Sequence, residues 1–368
     1  MILFLGVRFM RDSVRQLMEA ITKEKGIPFL DVVCYREHKE VLRDTVGSAN
    51  GNEFLYMYSC SKPITVTAVM MLFERGLLSL DDLVEKYIPE YKNLTVIKNG
   101  AVFPCDEKMT VKHLLTMTGG LDYNLRRGNV KEIIKNNPCA TTEDVIKGLV
   151  TEPLVFEPGH EFRYSLCHDV LAVIVEKASG VRFSEFVREN IFKPLGMDNS
   201  TFDNKPKNAP ADIYKCENGT IVKSVGFRPI TPCYESGGGG LIGTVNDYIK
   251  FADMLACGGV SACGDRLLDE KTVAMMRSEQ IASISVNNTF TCVQGDDYGY
   301  GLGMRTRIKE TDWGLPVGEF GWDGAAGSYL LVDPVRKISV VMGMHVLNWP
   351  DCFVGEHLNI VKEIYKCL

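Results

Sequence analysis

The chain has 368 residues, 45% of them hydrophobic and 24% charged, the make-up of a globular protein with material for a large core rather than of a disordered or fibrous one. Its formal net charge is −6, from 47 acidic and 41 basic residues without a long basic cluster, which argues against nucleic acid as a partner. No segment reaches the roughly 20 apolar residues of a membrane-spanning helix, and the apolar run from Ile2 to Val7, followed by Arg8, is too short and wrongly flanked for a secretory leader, so the expectation is a cytoplasmic protein with no membrane partner.

Val14, Leu17, Met18 and Ile21 recur at helical spacing, and strands are expected over 29–35, after Gly26 and Pro28, and over 40–46. Beyond Ser59 the chain reads as mainly helical. Ser79 and Leu80 open an expected helix at 81–87, Thr110 is placed to cap one at 111–117, and Thr142 one at 143–151. Residues 169–178 make a strongly apolar helix ended by Gly180, and 184–192 continue in the same style. Four glycines, Gly237 to Gly240, follow Ser236. No lysine stands where a phosphate loop needs one and no Gly-x-Gly-x-x-Gly context surrounds them, so they read as a tight turn before a helix at 245–255. Strands return at 300–306, 327–332 and 338–345, with Asp333-Pro334 as a turn, and Leu358, Val361 and Tyr365 mark a closing helix. Strand material at both ends implies that residues 1–57 and 285–368 build one sheet domain. A mainly helical domain, residues 58–284, is inserted into it, with the active site between the two.

Twelve cysteines lie between Cys34 and Cys367 without a Cys-x-x-Cys pair, which suits thiols in a reducing compartment better than a disulfide framework. The histidines His38, His113, His160, His168, His345 and His357 form no HxH, HExxH or HxxxH arrangement, so neither a metal nor another cofactor is expected.

The chain holds a single Ser-x-x-Lys match, Ser59 to Lys62. A lysine three positions after a serine, at the first turn of a helix, has its amine on the serine's face and within reach of its proton. Pro63 supports the placement, since proline is tolerated where a helix has no backbone donor to lose. The apolar run from Ile64 to Phe73 then reads as a helix buried nearly all round. No Gly-x-Ser-x-Gly elbow exists for a Ser-His-Asp hydrolase, so Lys62 is the local base candidate. Cys60, one residue along, faces elsewhere. Tyr164 follows Glu157-Pro158-Gly159 and stands before a helix, in a position from which a side chain can project into a cleft; read alone, it is a core or surface tyrosine.

Ser59-x-x-Lys62, Tyr164 about a hundred residues on, and the stretch Phe320-Gly321-Trp322-Asp323-Gly324-Ala325-Ala326-Gly327 together resemble the serine β-lactamase and penicillin-binding-protein superfamily. Within it the chain is most similar to the branch of class C β-lactamases, D-alanyl-D-alanine carboxypeptidases and family VIII esterases. The resemblance runs from about Asp12 to Trp349 and takes in Leu114-Leu115-Thr116-Met117-Thr118-Gly119-Gly120-Leu121, Phe156-Glu157-Pro158-Gly159, Lys193-Pro194-Leu195-Gly196-Met197 and Gly238-Gly239-Gly240-Leu241. It implies an α+β fold of the β-lactamase/transpeptidase type, an antiparallel sheet flanked by helices with a helical domain beside it. It also implies roles: Ser59 as the acylated nucleophile, Lys62 as its partner in proton transfer, Tyr164 as the shuttling phenol or phenolate, and the backbone N–H groups of Ser59 and Ala325 as the oxyanion hole. Which of Lys62 and Tyr164 is the base stays open.

Departures from the family pattern bear on the substrate. Leu166 stands where class C enzymes have the asparagine of Tyr-x-Asn, and Trp322-Asp323-Gly324 where β-lactamases and peptidases usually have Lys-Thr-Gly. An acid in place of that lysine, if it faced the cleft, would repel a substrate carboxylate by about 1 to 4 kcal/mol. Leu166, Trp322, Asp323 and Gly324 are therefore the expected substrate-binding positions, although Trp322 reads equally well as packing on a strand. His168 and Asp169 carry acid–base chemistry one turn after Tyr164, yet read as structural because the serine mechanism is complete without them. The leading expectation is a serine esterase acting through an acyl-enzyme on small or medium acyl substrates, with acyl transfer to an alcohol or amine open. The alternatives are a β-lactamase or D-amino-acid peptidase, and a catalytically silent sensor of penicillin or peptidoglycan. The partner is a small-molecule ester or amide. The oligomeric state leaves no signature in the sequence.

Overall fold

The computed structural model describes residues 2–125, 127–226, 230–286 and 297–368. Both ends of the chain supply one antiparallel sheet of seven strands. The N-terminal part gives β1 (Phe29–Arg36) and β2 (Lys39–Gly47). The C-terminal part gives β3 (Tyr298–Tyr300), β4 (Arg305–Arg307), β5 (Phe320–Asp323), β6 (Tyr329–Asp333) and β7 (Ile338–Gly343). Their spatial order is β3-β4-β5-β6-β7-β1-β2, and the two ends of the chain meet where Val33 of β1 faces Val341 of β7.

Alternation along the strands decides what covers each face. Leu30, Val32 and Cys34 of β1, Leu331 of β6 and Val340 and Met342 of β7 pack on the terminal helices, α1 (Ile2–Lys25) through Val14, Met18 and Ile21, and α5 (His357–Tyr365) through Ile360, Val361 and Ile364. The alternate residues Val33, Leu330, Val332 and Val341 join a larger core with α2 (Ser61–Glu74), α3 (Cys167–Ser179) and α4 (Val245–Ala256). Residues 61–72 of α2 are all buried, so this helix runs through the interior. α3 stops at Gly180, whose φ of 78° is the left-handed conformation a helix end requires.

The structure differs from the sequence reading in several places. The strand expected over 300–306 is two strands, split by a turn in which Gly303 has φ 74° and a β-carbon would strike Val66 at 2.3 Å. Residues 81–87 hold only a single helical turn, Val84–Lys86. There the Asp82 carboxylate accepts from the Ser79 N–H, and Val84 N–H donates across to Met109 O, so tertiary pairing overrides helix propensity. Thr141, not Thr142, caps Thr142–Leu149, in a reciprocal box with Asp144; the Thr142 hydroxyl instead bonds Glu235 O at 3.0 Å. Helix α4 packs on β1, β6 and β7 although its residues fall within the 58–284 stretch, which also contains the hairpins Thr95–Lys98/Ala101–Pro104 and Ile213–Glu217/Thr220–Ser224. Cys139 and Cys233 form a disulfide, against the expectation of thiols throughout; nine other cysteines are thiols and Cys292 lies outside the described residues. Among the described residues no helix is long and apolar enough to cross a membrane.

Candidate active site

Ser59 sits on a short 3₁₀ turn, Tyr58–Cys60, that leads into α2. Tyr58 has φ 45°, a left-handed conformation that costs a side chain of its size energy and persists only when the surroundings enforce it. Here they do. Ser61 Oγ donates to Tyr58 O at 2.5 Å and accepts from Leu241 N–H at 2.9 Å, Met57 N–H donates to Leu241 O at 2.9 Å, and the Tyr248 hydroxyl bonds Cys60 O at 2.5 Å.

Lys62 is the second residue of α2 and its side chain runs back over the helix start, as long helical side chains do. Its Nζ, fully buried, lies 3.2 Å from Ser59 Oγ and donates to Gly238 O at 2.6 Å. Tyr164 stands in the short loop between Glu161–Phe162 and α3, with its hydroxyl 2.6 Å from Ser59 Oγ and its ring 4.6 Å from Lys62 Nζ. That ring is held between Tyr123, stacked at 5.5 Å, and Trp322 at 5.7 Å. Three residues spread over a hundred positions thus meet at one oxygen. Cys60 points away, its thiol on Trp322 O and pushed well up by burial and by the Asp323 carboxylate.

Ser59 opens onto a cavity of about 460 Å³ lined largely by aromatic and aliphatic groups, Tyr56, Tyr58, Tyr123, Tyr234, Ile230 and Ile242 among them. Among the described lining residues none is charged. Ala325 is exposed on its rim, at the apex of a turn in which Gly324 N–H donates to Ser328 O and Gly327 N–H to Gly324 O. No local pattern marks Tyr234 or Asn204, which reach the cavity from loops; Tyr123 lies two residues beyond the Leu114-to-Leu121 stretch, which is the one signal that could have found it.

The expected substrate-binding positions fare differently. Trp322 lies behind the Tyr164 ring and edge-on to Tyr300, supporting the tyrosine rather than lining the cavity. Asp323, the next residue on β5, points to the opposite side of the sheet, where Arg305 Nη1 donates to it at 2.6 Å and His357 Nδ1 lies 3.5 Å away. It does not face the cavity, so the expected repulsion of substrate carboxylates has no source here. Gly324 is a close-packing position: a β-carbon would meet Met57 O at 2.3 Å. Leu166 is buried in the core at the start of α3. His168 is wholly buried and held neutral by burial and by the Lys62 charge.

The Beta-lactamase family model matches residues 14–361. This chain belongs to that family. Protein Rv1367c of Mycobacterium tuberculosis is 28% identical over 314 residues, covering 80% of this chain and 78% of that protein. Esterase EstB of Burkholderia gladioli is 25% identical over 340 residues, covering 84% and 82%. Among solved structures, EstCE1, titled a hydrolase with promiscuous acyltransferase activity, superposes with a TM-score of 0.79 at 22% identity, over 99% of both chains. The fold is of the β-lactamase/transpeptidase type, and the protein is an enzyme of the serine hydrolase type.

Proposed function

We propose that the protein is a serine esterase, with acyl transfer to alcohols as its companion activity, that forms an acyl-enzyme on Ser59 and accepts neutral esters with apolar acyl groups of small to medium size. The observation that carries this is the double approach to Ser59 Oγ, by the Tyr164 hydroxyl at 2.6 Å and Lys62 Nζ at 3.2 Å, at the mouth of a cavity lined largely by aromatic and aliphatic side chains. In the first half-reaction Ser59 Oγ bonds to the ester carbonyl carbon and its proton passes to the Tyr164–Lys62 pair. The backbone N–H groups of Ser59 and Ala325 receive the oxyanion, and the pair returns the proton to the departing alcohol. Water or a second alcohol then loses its proton to the same pair and attacks the acyl carbon; the bond from that carbon to Ser59 Oγ breaks, and the pair returns the proton to Ser59 Oγ, releasing the acid or the new ester.

The name of Esterase EstB supports ester chemistry, and the aromatic and aliphatic lining supports an apolar acyl group, since burial of apolar surface gains about 25 cal/mol per Å². The test is a panel of p-nitrophenyl esters, D-amino-acid amides and nitrocefin, run side by side with and without added alcohol. Efficiency on short to medium esters above that on the other two classes is the expected result. D-amino-acid amides as best substrates would replace this reading with a peptidase, and stable acylation without turnover with a sensor.

A further inference from the structure

Asp169 is wholly buried at the start of α3 and takes no part in the steps above. Its Oδ1 accepts from the Tyr234 hydroxyl at 2.8 Å and from Ser236 Oγ at 2.6 Å. Its Oδ2, buried and without a close hydrogen-bond partner, lies over Gly238, so near that a β-carbon on that glycine would meet it at 2.7 Å and Lys62 Nζ at 3.6 Å. Burial raises the Asp169 carboxyl, while Ser236, Tyr234, the Lys62 charge and the Gly238 amide oppose the rise.

Two of the glycines let the turn close against α3: a β-carbon on Gly238 would meet this carboxylate, and one on Gly237 would strike His168 O at 2.4 Å; Gly240 is required within the turn itself, where a β-carbon would strike Ser236 O at 2.8 Å. Once closed, it presents two carbonyls to α2: Gly237 O accepts from Thr65 Oγ1 at 2.7 Å, and Gly238 O accepts from Lys62 Nζ at 2.6 Å. We propose that Asp169 is a positioning residue for acyl transfer, anchoring the turn at 236–240 so that the Gly238 carbonyl pins the Lys62 amine beside Ser59. This rests on Ser59 being the nucleophile. It accounts for Gly238 and for the acid one turn after Tyr164 by a single contact chain, Asp169 to Ser236 and Gly238, Gly238 to Lys62, Lys62 to Ser59.

The experiment is fluorophosphonate labelling of the full chain, followed as both stoichiometry and rate, with ester kinetics alongside. An Asp169→Asn side chain has one acceptor in place of two and no charge. It is expected to label Ser59 to full stoichiometry but 30- to 100-fold more slowly, with kcat reduced to match and KM within threefold, because a displaced catalytic group costs about a hundredfold. A role in stability alone would lower stoichiometry and leave the rate of the labelled fraction intact. Gly238→Ala, whose methyl would enter between Asp169 and Lys62, should give the same split, and it decides the matter if Asp169→Asn does not fold. Wild-type labelling rates in either folded variant overturn the inference while leaving Ser59 as the nucleophile. A wild-type adduct on another residue overturns the reading of Ser59 and this inference with it.

Discussion

Replacing Asp323 by alanine removes the closest anionic partner of a buried guanidinium. Arg305 is 1% exposed and donates at 2.6 Å to Asp323 and at 3.0 Å to Leu330 O; the next carboxylate, Glu319, is 4.0 Å away and shared with Arg307 and the Tyr298 hydroxyl. Breaking a buried pair from one side costs about 3–5 kcal/mol, because the remaining charge stays out of water. The Leu330 carbonyl, Glu319 and the Tyr329 ring, 4.9 Å from the guanidinium, retain part of the stabilisation, which brings the expected loss to about 2–4 kcal/mol. At roughly 1.3 °C per kcal/mol for a chain of this size, melting should fall by about 3–5 °C. Asp323→Asn, which keeps an acceptor, should fall less. The measurements are urea denaturation, thermal melting and the ratio of nitrocefin to p-nitrophenyl butyrate efficiency. Lower stability with an unchanged ratio is expected; unchanged stability with improved nitrocefin turnover would refute the placement of Asp323 behind the sheet.

Ser59→Ala should abolish ester turnover and fluorophosphonate labelling, and a tryptic map of the wild type should place the adduct on Ser59 alone. Tyr164→Phe should lower the acylation rate by roughly a hundredfold, as loss of a positioned acid–base group does; near-normal turnover would leave the base role to Lys62. Gly324→Ala forces a β-carbon to 2.3 Å from Met57 O and should part the Ala325 turn from the Ser59 turn; if the Ala325 N–H is the proposed oxyanion donor, acylation falls at least about tenfold, read in single-turnover kinetics. Burial lowers the His345 pKa from 6.5 to about 4, so the neutral ring's contribution is whole above pH 6.5 and is lost as pH falls toward 4, by about 3 kcal/mol. Its Nε2 accepts from Tyr56 N–H at 3.1 Å, which only the neutral ring can do. The acid dependence of stability should therefore be shallower in His345→Gln than in wild type, measured by urea titration at each pH.

Local signals carried the parts of the fold that are local. Apolar, β-branched runs exposed β1 and β7, and Gly180 marked the end of α3 because a left-handed cap favours that residue. β5 was legible only as a strand carrying Trp322, without bounds: it has four residues, and its Gly321 answers to Leu330 O, which crosses 1.9 Å from where a β-carbon would sit, a contact no neighbouring residue announces. Ser59 and Lys62 were legible because three-residue spacing on a helix fixes their faces. Tyr164 became a candidate only through family resemblance, since its approach to Ser59 depends on how α3 packs against α2. The direction of Asp323 could not be read, because the parity of a strand is settled by its partners, and the partner here is an arginine eighteen residues upstream whose burial has no sequence signature.

The central claim, that turnover of neutral esters passes through an acyl group on Ser59, is tested most directly by trapping it. Protein quenched in acid during turnover of p-nitrophenyl butyrate should carry the mass of one butyryl group, and digestion should place it on the peptide that holds Ser59 through Lys62. The adduct should accumulate in wild type and vanish when added alcohol takes up the acyl group. An unmodified protein during rapid turnover, or a butyryl group carried at another residue in the Ser59→Ala variant with activity retained, would contradict the account.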